Sequence, residues 1–104
     1  MSDITQLHRA LIARVRDGNA TAPTSLRRAA FDDVGLDEPV RTLIDKVARH
    51  ANRVTDDDVA AVRATGLTED QIFEIMVCAA VGQASRQYEN ALAALASATQ
   101  EGKR

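Results

Sequence analysis

The stretch 68-TEDQIFEIMVCAAVGQASRQYENALAAL-95 decides the fold. Thr68 and Gln71 have the S/T-x-x-E/Q spacing of a capping box, so a helix starts here. Its first turns soon lose their polar face, through Ile72, Phe73, Ile75, Met76, Val77, Cys78, Ala79, Ala80 and Val81. A helix that is apolar all round is expected to be buried all round. In a small domain that means contact with the chain's own core and with another subunit. Gly82, Ala84 and Ser85 permit close approach of a second helix. From Arg86 the pattern turns amphipathic again, with Tyr88, Ala91, Leu92 and Leu95 on the apolar side. The reading is one long buried helix over about 68–96, with a tail over 98–104 expected to fray.

Upstream, Thr55-Asp56-Asp57-Asp58 opens a shorter helix that Gly66 ends. Thr55 is its cap, and the three acids sit at the positive end of the helix dipole. Leu67 stands just before the next cap, placed to staple onto Ile72. The most regular helix spans 38–52, where Val40, Leu43, Ile44, Val47, Ala48 and Ala51 trace one face. Asp37, Glu38 and Pro39 start it, with Asp37 as the expected cap. Thr24 or Ser25 begins a short helix to Asp32 that turns Leu26, Ala29, Ala30 and Phe31 inward. Residues 3–17 form the first helix, with Ile4, Leu7, Leu11, Ile12 and Val15 as its buried stripe. No strand alternation and no glycine-rich phosphate loop is visible. The fold class is therefore all-α, a compact bundle of about five to six helices in one domain over 1–104.

Composition narrows the function. Apolar residues make up 45% of the chain but aromatics only 3%, so small aliphatic side chains must fill the core. Each buries little area, which favours burying more by self-association. The net charge is −2 and the pI about 5.6, without the basic face that nucleic acid requires. A single cysteine leaves no internal disulfide framework and fits a reducing cytosol, so the expected location is cytoplasmic. The N-terminal helix is charged and amphipathic, unlike a signal peptide. The apolar run Ile72–Gly82 is shorter than the ~20 residues that span a bilayer. No metal-ligand spacing is present, and no cofactor is expected.

The block 40-VRTLIDKVARHANRVTDDDVAAVRATGLTEDQIFEIMVCAA-80 resembles the alkylhydroperoxidase D-like superfamily, which includes the carboxymuconolactone decarboxylases. The positions that carry the resemblance are Thr55, Asp56, Asp58, Val59, Val62, Arg63, Gly66, Leu67, Thr68, Ile72, Phe73, Glu74 and Arg86. The resemblance implies an all-α bundle that assembles into dimers, trimers or hexamers. It also implies a homo-oligomer here, built through the 72–85 helix. Peroxidase-type members of that superfamily carry a Cys-x-x-Cys pair with a downstream histidine and an upstream glutamate that move protons to a reactive thiolate. Here Cys78 is followed by Ala79, Ala80 and Val81, and no histidine follows it. A dithiol cycle within one chain is therefore excluded.

Cys78 lies mid-helix without a nearby cation in sequence, which fits a small core residue better than a reactive thiol. Four other residues are candidate catalytic groups. Glu74 is the polar residue most out of place in the apolar helix, and burial would raise its pKa toward general acid–base work. His50 joins it if the third and fifth helices pack face to face. Arg86 and Tyr88, followed by Glu89, suit a pocket mouth in which Arg86 holds a substrate carboxylate and Tyr88 donates a hydrogen bond. His8 borders the stripe of the first helix and reads as a satisfied or exposed histidine. The Asp56–Asp58 run reads as a cap. Three functions follow: an oligomeric helical protein without dithiol chemistry, a cofactor-free decarboxylase or isomerase on a small acid, or an interaction subunit that pairs with a Cys-x-x-Cys-bearing relative.

Overall fold

A computed structural model describes the backbone of residues 2–102 and the side chains of residues 6–100. Among the described residues there are five α-helices and no strand: α1 (Ser2–Asp17), α2 (Thr24–Asp32), α3 (Val40–Arg49), α4 (Asp56–Arg63) and α5 (Glu69–Gly102), with a 3₁₀ turn at Ala51–Arg53. The all-α bundle with one long C-terminal helix is as the sequence predicts.

Local chemistry explains the helix ends. Thr55 and Asp58 bond each other's backbone amides in a capping box at the start of α4. Thr68 and Gln71 do the same at α5, at 2.9 and 3.1 Å. Between them Gly66 adopts a φ of 105°, a left-handed turn that a side chain would oppose. At α3 the capping acid is Glu38 rather than Asp37. Its carboxylate accepts from the Thr42 amide at 2.8 Å and from the Thr42 hydroxyl, while Asp37 offers its main-chain carbonyl to the Arg41 amide. The expected 38–52 helix is accordingly trimmed to Val40–Arg49.

Two apolar clusters share α3 and α5. One joins Ala30, Phe31, Leu36, Ile44, Ile75, Cys78 and Ala79, with Ile12 and Val15 of α1 packed on it. The other joins Leu43, Val62 and Ile72, and Leu67 packs there as the staple predicts. Leu43, Ile44, Val62 and Ile75 are fully buried. Truncating one of these leucines or isoleucines to alanine would cost about 2–5 kcal/mol.

The structure bears on three expectations at the edges. Leu7 and Leu11 are exposed, because only the last turns of α1, through Ile12 and Val15, reach the core; Ile4 lies outside the described side chains. The apolar segment of α5 is not buried all round within one chain: Phe73 is 67% exposed and Ala80 is exposed. The tail expected to fray from 98 instead continues as helix to Gly102, in keeping with the alanine-rich run that leads into it. Residues 103 and 104 lie outside the described residues.

Candidate functional site

Of the four candidates, Glu74 alone reaches the loop between α1 and α2. The Glu74 carboxylate accepts from the Thr21 amide at 3.1 Å, the Thr21 hydroxyl at 2.9 Å and the Ala22 amide at 2.7 Å. The Gln71 side-chain amide donates to the Thr21 carbonyl, and the Arg27 guanidinium donates to the Ala22 carbonyl. Both peptide groups are therefore paired on both sides by side chains, which permits Ala22 to be buried at 2% exposure. Arg27 is itself buried and spends its remaining donors on the Val15 carbonyl and the Thr24 hydroxyl.

This arrangement reverses the expected titration of Glu74. Burial alone pushes its pKa up, but the amides of Ala22 and Thr21, the Thr21 hydroxyl and the charge of Arg27 together hold it below the ordinary glutamate value. A carboxylate held ionised by three donors serves as a clamp on a loop. Cys78 behaves in the opposite sense. Burial pushes its thiol up, the charge of Arg27 pulls the other way, and Glu74 adds a smaller push upward. Its Sγ donates to the Val15 carbonyl at 3.3 Å, so the thiol is a core group.

The remaining candidates are not brought together. His50 is exposed at the end of α3 and lines a shallow depression with Asp45, Arg49 and Arg53, whereas Glu74 borders a different one with Arg14, Arg27 and Phe73. Arg86 and Tyr88 are two residues apart on a helix, hence ~200° apart around it, and do not share a pocket. Arg86 donates to the Phe31 carbonyl and to Gln83, placing its charge at the negative end of α2. Gly82 makes this contact reachable: a Cβ there would stand 2.0 Å from the Phe31 carbonyl oxygen. The close helix approach expected at Gly82 is thus made by α2 of the same chain.

Tyr88 faces α1 instead. His8 meets its ring edge-on at a centroid distance of 5.0 Å and shares a 3.0 Å hydrogen bond with Ser85. These residues, with Leu11, Val81 and Ala84, line an open groove of about 270 Å³ whose walls are almost wholly apolar. Ser85 lies mid-helix, away from the free amides of a helix start, so the pair lacks helix-terminal donors to stabilise an oxyanion. Sequence reasoning missed this pairing and the role of Arg27, because the first depends on how α1 docks on α5 and the second on how α1 and α2 dock.

The groove opens onto a larger feature. At ~100° per residue, Phe73, Val77, Ala80, Ala84, Tyr88, Ala91, Leu95 and Ala98 fall within an arc of roughly 80° on α5. Ile75, Ala79 and Gly82, buried in the chain's own core, lie on the opposite side. Phe73, Ala80, Ala84, Ala91, Leu95 and Ala98 are exposed. No charged residue interrupts the arc; Glu74 stands at its edge with its carboxylate turned to the loop. From Glu89 to Gln100 every residue is exposed, so the last turns of α5 extend past the body and give the chain its 58 × 28 × 21 Å extent.

Among the described residues no three metal-ligating side chains form a cluster, and no helix is long and apolar enough to cross a membrane. Comparison of the chain with protein-family models, with curated proteins and with solved structures finds no match.

Proposed function

We propose that this chain is a self-assembling helical unit of the alkylhydroperoxidase D-like class that has no dithiol chemistry of its own. The observation that carries the proposal is the uninterrupted apolar face of α5, which the chain's own core leaves uncovered. A helix that buries one side and leaves the opposite side apolar needs a partner for it. The polar residues that suggest chemistry support the same reading. Glu74 and Arg27 hold the α1–α2 loop, Arg86 holds the end of α2, and Cys78 is packed in the core.

Two measurements test the proposal together. Light scattering over a range of concentrations is expected to give a mass that is a fixed multiple of the 11.2 kDa chain. Purified protein with a dithiol reductant is expected to consume hydroperoxide no faster than its Cys78→Ser variant. A monomeric mass throughout, or peroxidase turnover lost in Cys78→Ser, would contradict it.

A further inference from the structure

Resting on the self-assembly reading, we infer that the occupant of the apolar face is α5 of a second copy, running antiparallel and centred on Ala84. The seven positions of the arc from Phe73 to Leu95 are symmetric about that residue. With Ala84 facing its own copy, Ala80 faces Tyr88, Val77 faces Ala91, and Phe73 faces Leu95. Inner pairs thus set a large side chain against a small one, which lets the two helices interdigitate, while two large side chains close each end. Alanine against alanine at the centre permits an interaxial distance of ~8 Å, the close end of the helix-packing range. A parallel pairing in register instead sets Tyr88 against Tyr88 and places like helix ends side by side. Antiparallel packing opposes the two macrodipoles. A contact in which the same patch serves both subunits is also the commonest way a homo-oligomer closes.

Extent supports the same occupant. From Phe73 to Leu95 the face runs ~33 Å, which a second α5 of equal length covers end to end. The residues from Glu89 to Gln100 are all exposed, and this pairing lays them against the first turns of the other copy's α5. Leu11, and Leu7 one turn before it, stand exposed on α1 and extend the apolar surface at its side. Specific interfaces begin at about 1,200 Å² of total buried surface, so these side chains on both copies would have to be covered together.

Single-cysteine chains in a Cys78→Ala background test the register. Under mild oxidation, Ala84→Cys is expected to form a covalent dimer by itself. Phe73→Cys mixed with Leu95→Cys is expected to cross-link across the two chains. Each of those two alone should do so at least about tenfold more slowly, because ~33 Å of helix separates the sulfurs. Ready dimerisation of Leu95→Cys alone would overturn the antiparallel register. If Ala84→Cys fails to cross-link while light scattering still reports an oligomer, this pairing is wrong and the broader assembly reading stands. A monomeric mass removes both.

Discussion

Glu74 shows how an acidic residue in an apolar helix becomes a structural group. Its three donors come from Thr21 and Ala22 of one loop, and the Ala22 amide would otherwise be buried without a partner. Replacing it with glutamine leaves one acceptor oxygen where two worked, and chemical denaturation should register a loss of about 1–3 kcal/mol. Unchanged stability would show that water serves the loop equally well. The pH dependence follows from the sign of the shift. The folded pKa lies below the unfolded one, so the stabilisation is fully present above the ordinary glutamate range and is lost as pH falls through the folded value. Asp58 acts in the same sense, its pKa lowered chiefly by the hydrogen bond from Lys46 and then by the Thr55 amide. Acid titration of the melting temperature should therefore fall less steeply below about pH 4 in Glu74→Gln than in the parent chain. Parallel curves would contradict the clamp. None of this was legible in the sequence, where Glu74 shows only as a polar residue out of place. The donors sit about fifty residues upstream, and docking of α1 and α2 brings them there.

At the scale of elements, the capping signals were the most legible. Thr55, Gly66, Thr68 and Gln71 carry their geometry in local chemistry, and each ends or starts a helix where expected. Stripes were legible only where a neighbour exists to cover them. Ile12 and Val15 on α1 find the core, while Leu7 and Leu11 of the same stripe do not. Periodicity reports which residues share a face, but the docking of other elements decides how much of that face is buried. Gly82 is where docking is tightest. Alanine there gains up to about 1 kcal/mol of helix propensity, yet its Cβ would press on the Phe31 carbonyl. A net loss of about 1–3 kcal/mol is expected from denaturant unfolding of Gly82→Ala. A more stable variant would mean that α2 and α5 can part there without cost.

For the whole molecule, the long helix divides its two sides between two tasks. One side, with Ile75, Ala79 and Gly82, holds α2 and α3 and closes the core. The other side is apolar from Phe73 to Ala98 and runs past the end of the body. The helix was legible in the sequence, and so was the apolar pattern that resumes at Tyr88; what the bundle adds is which side of the helix its own core takes. Phe73, Ala80, Ala84, Ala91, Leu95 and Ala98 stay exposed along the other side, while Val77 and Tyr88 are half-buried, Tyr88 against His8. The measurement that tests this most directly is light scattering of the parent chain beside Ala84→Glu, with far-ultraviolet circular dichroism as a check on folding. A multiple of 11.2 kDa is expected for the parent and a folded 11.2 kDa monomer for the variant, since one charge at the centre of the face must be buried twice. A parent chain that stays at 11.2 kDa at every concentration, or a variant that keeps the parent's mass, would contradict it.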